Sequence, residues 1–253
     1  MPTSQSIGAK VRREMLLEML GRDGQIKLDQ AAESLGVSSM TVHRDLGGLA
    51  NQGLLRRVRG GAVPTLSAQP FAKRRDHHLG AKLVIAQKAT ALVPRSGSIA
   101  IDASTTAGGL LSVLNQIDPL TVVTSSYDNL LALAANPAVT AILTGGEMDI
   151  RTRSFVGPIA CQSASSVFYR RFFSSANALD AVVGSSEVSL LEMQVKRALA
   201  ERAQDTVLLV DSSKLDQRSI STGFDWSEIE WLVTELDPSD EKLDHYRNRV
   251  QLL

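Results

Sequence analysis

Apolar positions recur at helical spacing through the first fifty residues and in strand-length runs from residue 98 onward, which splits the chain into two parts of different construction. In the first part, Val11, Met15, Leu16 and Met19 share one helical face and predict a helix over residues 8–20, ended at Asp23 and Gly24. Leu28, Ala31, Ala32 and Leu35 give a second, shorter helix that stops at Gly36, a residue suited to the left-handed conformation of a helix C-terminus. Val42, Leu46 and Leu49 fall at i, i+4 and i+7 of a third helix that begins at about Met40. Ser38 or Ser39 can cap it, since a serine hydroxyl accepts an otherwise unpaired N–H of the first turn. Thr41, His43, Arg44 and Gln52 lie off the stripe, so one side packs and the other is free to touch a partner. Two short helices across a tight turn make a helix-turn-helix.

Gly53 breaks the third helix, and Leu54 and Leu55 turn back toward the core. Arg56, Arg57 and Arg59 then alternate with Val58 before Gly60–Gly61 allows a hairpin reversal, the pattern of a basic wing. The stretch VPTLSAQPF, with two prolines and no period, reads as linker. From Leu79 to about Val93 the spacing is helical, with Lys82 and Lys88 expected on the exposed side. The organisation expected is a DNA-binding domain over 1–63, a linker over 64–77 and a second domain over 78–253, with His77 and His78 at the junction read as exposed linker residues rather than metal ligands.

That second domain alternates apolar runs with helical patterns: SIAIDAS, TAGGLLSVLNQI, LTVVTSS, YDNLLALAANP, VTAILTGG, then ALDAVVGSS, LLEMQVKRALAERA, TVLLVDSS and WLVTEL. Strand, helix and strand in succession predict a parallel sheet with crossover helices, an α/β domain. Ligands of such sheets bind beyond the carboxyl ends of the strands, and small polar residues gather there. Asp102, Ser104, Thr105 and Thr106 follow the first strand, where hydroxyls and the N–H groups of a helix start suit a phosphate. Thr124, Ser125 and Ser126 follow the second, and Gly145–Gly146 the third, where missing side chains let a ligand near the backbone. Asp211, Ser212, Ser213 and Lys214 follow a later strand, and Lys214 adds a positive charge for an anionic ligand. Each segment taken singly is also what an ordinary turn contains.

Charge sharpens the division. Residues 1–75 hold twelve Lys or Arg against six Asp or Glu, and the remainder fifteen against twenty-one, so a zero net charge conceals a basic end and an acidic body. Phosphate neutralisation needs such clustered cations rather than a basic chain overall. Cys161 is the single cysteine, which excludes an internal disulfide, and no Cys/His cluster supports structural zinc. It is read as a small core residue. No apolar stretch is long enough to span a bilayer and no signal-peptide core is present, so a cytoplasmic protein without metal or cofactor is expected.

The run VSSMTVHRDL, followed by GLLRRVRGGA, resembles the DeoR family of bacterial transcriptional repressors, whose signature is V-S-x-x-T-I-R-R-D-L and then G-x-L-x-R-x-x-G-G-A. Thr41, Arg44, Asp45, Leu46, Gly53, Leu55, Arg57, Gly60, Gly61 and Ala62 fill that pattern, while His43 stands where the family has arginine. The strand-end loops are similar to the family's D-x-G-T-T, T-N-S, G-G and D-x-S-K series, with Ser104 in place of glycine and Ser125 in place of asparagine. The resemblance implies a winged helix-turn-helix followed by an α/β sensor domain resembling the ribose-5-phosphate isomerase fold. It further implies double-stranded operator DNA as partner, repression of carbohydrate-metabolism genes and control by a phosphorylated sugar or related anionic metabolite. On this reading Ser38, Ser39, Thr41, His43, Arg44, Arg56, Arg57 and Arg59 meet DNA. The effector falls to the strand-end loops from Asp102 to Lys214. One helix-turn-helix reads few bases, so a homodimer or homotetramer is expected.

The rival reading is a phosphosugar isomerase fused to a DNA-binding domain, for which Asp102, Glu192 or Lys196 are the candidate acids and bases. Glu192 and Lys196 are also an i, i+4 pair, which is the arrangement of an ordinary surface salt bridge on a helix. Glycines at 47 and 48, inside the recognition helix, have no evident reason in the sequence, since each costs about 1 kcal/mol relative to alanine.

Overall fold

The computed structural model describes residues 8–51, 54–64, 70–114 and 120–253, so Gln52 and Gly53 lie outside it. The chain divides into two compact units, Met1–Gln69 and Pro70–Leu253.

In the first unit, α1 (Ala9–Asp23), β1 (Ile26–Lys27), α2 (Leu28–Leu35) and α3 (Ser39–Asn51) precede the hairpin of β2 (Leu55–Val58) and β3 (Gly61–Pro64). The expected apolar stripes close one core: Leu16 and Leu20 of α1, Ala31, Ala32 and Leu35 of α2, Val42, Leu46 and Leu49 of α3, with Leu55 and Ala62 from the hairpin. Val11, assigned to the apolar face of α1, is instead half exposed, and Leu20, the last residue of the expected helix, is buried in its core. Gly36 is left-handed as expected and turns the chain from α2 into α3. The three strands pair in the order β1-β3-β2. A side chain at Gly61 would lie 1.7 Å from the Ile26 carbonyl oxygen, so this close pairing of β1 with β3 requires glycine.

The second unit opens with α4 (Phe71–Asp76) and α5 (Leu79–Ala89). Six residues of the expected linker 64–77 are therefore helix, anchored by buried Phe71 and by the Phe71 N–H donating to the Arg151 carbonyl at 3.0 Å. Next come β4 (Gly97–Ile101), α6 (Thr105–Gly108), β5 (Leu120–Thr124), α7 (Tyr127–Ala134) and β6 (Val139–Leu143). A hairpin of β7 (Glu147–Asp149) and β8 (Ser154–Val156) leads to α8 (Gly157–Ala164) and β9 (Tyr169–Ser174). The chain closes through β10 (Ala178–Asp180), β11 (Gly184–Glu187), α9 (Leu190–Ala200), β12 (Ala203–Leu209), β13 (Ser221–Thr222), β14 (Trp231–Val233) and β15 (Gln251–Leu252).

Seven strands form a parallel sheet in the order β15-β14-β12-β9-β4-β5-β6. Successive residues alternate between two cores. Ile99, Ile101, Val122, Phe173, Val207 and Leu209 pack with α5 and α7, while Ala100, Val123, Phe172, Leu208 and Val210 pack with α8 and α9. Cys161 is half buried at the edge of the second of these cores. The run ALDAVVGSS is not a strand of this sheet but the β10–β11 antiparallel hairpin, extended by β13.

From β4 the chain winds outward through β5 to β6, then returns on the other side of β4 with β9 and continues to β12, β14 and β15. Strand order therefore reverses between β4 and β9. In open parallel sheets the crevice at such a reversal is the natural ligand position, and here it is bounded by Asp102 and by Ser174–Ser175.

Candidate functional site

On the first unit, Ser38 is the residue that caps α3: its Oγ accepts the Thr41 N–H at 3.2 Å and meets the Thr41 hydroxyl at 2.9 Å. Ser39 is already the first helical residue, and its hydroxyl donates to Asp29 of α2 at 3.0 Å. Ser38 and Ser39 thus hold the turn, leaving His43 and Arg44, both exposed, as the polar groups projecting from the helix. Met40, 67% exposed, stands beside them. Arg56, Arg57 and Arg59 are exposed on the hairpin, and the Arg57 guanidinium donates to His43 Nε2, which joins β2 to the face of α3.

Asp45 faces inward, where Arg12 and Arg13 of α1 reach it at 2.5 and 3.2 Å. A side chain at Gly48 would sit 3.2 Å from Arg13 Nη2, and one at Gly47 3.9 Å from Arg57 Nη1. Gly48 thus leaves room for the Arg13 guanidinium that crosses α3, whereas a side chain at Gly47 would be in ordinary contact with Arg57, and nothing in the structure explains that glycine.

On the second unit, Asp102 is fully buried at the end of β4. Its Oδ1 accepts the Ser104 N–H at 2.8 Å, and its Oδ2 accepts the Ser174 hydroxyl at 2.8 Å and the Ser175 N–H at 3.2 Å. Lys196 Nζ lies 3.1 Å from Oδ2 and 2.5 Å from Glu187 Oε1, and donates to the Ser175 carbonyl at 2.7 Å. Burial opposes ionisation of Asp102, but the Lys196 ammonium and the Ser104 and Ser174 hydrogen bonds outweigh it and hold the carboxyl below its usual range. Burial wins at Glu187, which is pushed up to about 7 in spite of Lys196. Two carboxylates share one ammonium, so the second to ionise does so against the charge of the first. The expected surface pair Glu192–Lys196 is not what forms: Lys196 is buried and turned to Asp102 and Glu187.

Beside this buried group lies a cationic one. Lys82, expected to be exposed, is buried, and its ammonium donates to the Arg74 carbonyl and, at 3.1 Å, to Thr105 Oγ1. Burial lowers Lys82 to about 8, with the Asp211 charge opposing and those of Lys214 and Arg74 assisting. Asp211 is also buried; burial raises it, but Lys214 and the Ser213 hydroxyl bring it below the usual range. His77 is lowered by partial burial and by the charges of His78, Lys214 and Lys82. Residues 74–82, Thr105 and 211–214 thus share one electrostatic neighbourhood, and His77 and His78 belong to it rather than to a linker. Among the described residues no group of His, Cys, Asp or Glu could hold a metal ion.

The other expected contacts are used internally. Ser104 caps α6 by accepting the Ala107 N–H at 3.1 Å, and Thr106 is buried. Thr124 Oγ1 accepts from the Ser126 N–H and the Asn129 amide, both at 3.2 Å, and Ser126 Oγ accepts the Asn129 N–H at 3.2 Å. Asn129 in turn donates to the Asp102 carbonyl at 2.9 Å, so this loop braces the crevice through α7. The buried Ser125 carbonyl receives the Phe155 N–H at 2.7 Å. Gly145 and Gly146 have φ of 65° and 105°, and a side chain at Gly146 would meet the Val156 carbonyl oxygen at 2.7 Å. Gly146 therefore admits β8, where a ligand had been expected. Asp102, Ser104, Thr105 and Lys214 remain as the predicted residues gathered at the crevice and its cationic margin.

Residues 12–67 match the DeoR-like helix-turn-helix domain, and residues 77–236 match the DeoR C terminal sensor domain. The chain belongs to the DeoR family of transcriptional regulators. It is 28% identical to the HTH-type transcriptional regulator IolR of Bacillus subtilis strain 168, over 96% of this chain and 97% of that one. It is 32% identical to the L-fucose operon activator of Haemophilus influenzae, over 88% and 91%. With the glycerol-3-phosphate regulon repressor of the same organism it shares 27% identity over 88% of each. Ribose 5 phosphate isomerase A of Neisseria gonorrhoeae aligns with 54% of this chain and 53% of its own at 18% identity, but a TM-score of 0.37 makes the likeness loose. Among the described residues of this DeoR-family chain, no helix is long and apolar enough to cross a membrane.

Lys82 read as an exposed helix charge, Glu187 drew no reading, Lys196 was named only as a catalytic candidate of the rival reading or a surface pair with Glu192, and Asp45 was seen only as a motif letter. The available signal was one of phase: Lys82 precedes buried Ile85 and Ala86 by three and four positions on α5, and Lys196 lies three beyond Met193 on α9. Both lysines share the inward faces of their helices.

Proposed function

We propose that this chain is a sequence-specific DNA-binding repressor of carbohydrate-metabolism genes, working as a homo-oligomer and released by a phosphorylated sugar or related anionic metabolite. The observation that carries the reading is the Lys82–Thr105 pair beside Asp211 and Lys214, because two cations and a hydroxyl at the margin of the switch-point crevice suit a phosphate. The polar crevice wall suits sugar hydroxyls, and buried Asp102 braces the loop that forms it by accepting the Ser104 N–H. On the first unit, Thr41, His43 and Arg44 are assigned to the major groove, and Arg56, Arg57 and Arg59 to the backbone or adjacent minor groove. Repression is favoured by the family resemblance, and the relatives named above include both a repressor and an activator.

The isomerase alternative requires an acid or base that reaches a substrate carbon. Asp102 and Lys196 are spent on each other and on Glu187, Ser174 and Ser175, which favours a sensor. The test is fluorescence anisotropy on DNA from upstream of the chain's own gene, with and without a panel of phosphosugars. A member that weakens binding at least tenfold without being converted, as followed by NMR, supports the reading. Turnover of the sugar, or an affinity for random DNA equal to that for the upstream region, rejects it. Light scattering of the full chain checks the oligomer, and a monomer at micromolar concentration rejects that part.

A further inference from the structure

Lys82 is a buried cation with neutral partners. Its ammonium bonds to the Arg74 carbonyl and the Thr105 hydroxyl, and among the described residues it meets no carboxylate at ion-pair distance. A buried charge whose hydrogen-bond partners are all neutral, with the Asp211 charge acting only from beyond ion-pair distance, is costly and is stabilised when a further anion approaches. The carbonyl it occupies belongs to α4, the first helix after Gln69, where the DNA-binding unit ends. Arg74 itself is incompletely satisfied: Nη2 donates to the Thr152 carbonyl at 3.3 Å, while buried Nε has no partner among the described residues. The Thr105 hydroxyl also donates to the Arg74 carbonyl, at 3.3 Å. One carbonyl on α4 is thus bound by both groups that a phosphate at the Thr105 loop would recruit.

We propose that Lys82 is an anion-binding residue of the effector site and, in the empty site, the latch that holds α4. This rests on the sensor reading above. A phosphate at Thr105 and Lys214 draws the ammonium of Lys82 away from the Arg74 carbonyl. The Thr105 hydroxyl turns with it, and α4 loses two of the bonds that dock it. A ligand acts on a conformational equilibrium only through unequal interaction with its two states, and Lys82 supplies the inequality because it serves either α4 or the anion. The chain leading to the DNA-binding unit is thereby released at its sensor end.

Hydrogen exchange of residues 70–78 in the full-length protein tests this directly, with inorganic phosphate, glycerol 3-phosphate and ribose 5-phosphate as probes and ribose as the uncharged control. Saturation with a bound phosphate probe is expected to speed exchange of the Arg74 and His77 amides at least fivefold, and ribose to leave it unchanged. Lys82→Gln is expected to show the faster exchange without ligand and to bind phosphate probes at least tenfold more weakly, while Lys82→Arg recovers binding. The proposal is overturned if α4 exchange is unchanged or slowed at saturation in the parent protein, a measurement that needs no variant to fold. Binding abolished by Lys214→Ala but untouched by Lys82→Gln overturns it while leaving the sensor reading intact. A parent protein that binds none of the phosphate probes overturns both.

Discussion

Lys196 places its ammonium 3.1 Å from the carboxylate of Asp102, across the crevice where the strand order of the sheet reverses. Both side chains are buried, and Glu187 is the third member of the group. Removing the cation and removing either anion are therefore different experiments. Lys196→Met leaves the buried Asp102 carboxylate without its cation and drives Glu187, already raised to about 7, to its protonated form, at an expected cost of about 3–5 kcal/mol of stability. Asp102→Asn keeps a balanced Lys196–Glu187 pair but turns an acceptor of several donors into a mixed group, at about 1–3 kcal/mol. Glu187→Gln keeps the Asp102–Lys196 pair and is expected to stay within about 1 kcal/mol of the parent. Urea unfolding at pH 7 gives the ranking, and a Lys196→Met cost no larger than that of Glu187→Gln would show that the ammonium is not the keystone.

The same group sets a pH dependence. Glu187 ionises at about 7 in the fold against an ordinary 4.5, so between those values the native state holds a proton that the unfolded chain releases. Its contribution is full below about 4.5 and is lost as pH rises through about 7. The slope falls with increasing pH, opposite to that of a carboxylate whose folded value is lowered. Unfolding free energy measured from pH 5 to pH 8 is expected to lose this downward component in Glu187→Gln. In Asp102→Asn the component shifts to lower pH, because Lys196 then serves Glu187 alone. A pH profile shared by the parent and both variants would dissociate Glu187 from the effect.

These contacts mark the limit of what periodicity reveals. The stripes of α2 and α3 emerged in phase because Ala31, Leu35, Val42, Leu46 and Leu49 each face a single core. Most strands of the parallel sheet emerged because both of their faces are covered. β9, its central member, did not: it begins Tyr169-Arg170-Arg171, and the arginines at the strand's entry break the apolar run. Arg171 is accommodated there by Asp205 at 3.2 Å and by the Leu92 carbonyl, partners far away in sequence. The crevice residues Asp102 and Thr105 were legible because they follow a strand directly. Lys82 and Glu187 were not, and Lys196 was picked out only for a catalytic role, since a charge on a helix or a hairpin acquires its meaning only when the fold buries it.

On the proposed DNA surface, discrimination and general affinity are expected to rest on different residues. Arg44 is exposed on α3, and among the described residues no hydrogen bond or ion pair holds it back. Arg44→Ala is therefore expected to remove about 1–3 kcal/mol of preference for operator over random DNA, the value of an arginine contact to guanine. Arg57→Ala is expected to weaken both, to lower the salt dependence by about one phosphate contact, and to free His43 from its bond to the wing. Titrations of operator and random duplexes at several salt concentrations distinguish the two. If Arg44→Ala leaves the ratio of the two affinities intact, α3 is not the reading element.

Asp45 tests whether the recognition helix depends on α1. Its carboxylate is buried, with Arg12 at 2.5 Å as the nearer partner and Arg13 at 3.2 Å as the more exposed one. Because Arg13 is partly solvated, its share is small, and most of the effect of losing Asp45 falls on the buried Arg12 pair. Asp45→Ala is expected to destabilise the first unit by about 3 kcal/mol. The contact to DNA is indirect, so the loss should appear first in stability and only through it in affinity. Measured at low temperature, where the first unit stays folded, the variant is expected to keep the operator-to-random ratio of the parent while melting earlier. A variant that melts with the parent but loses that ratio would instead place Asp45 in the reading surface, as the orienting partner of an arginine that touches DNA.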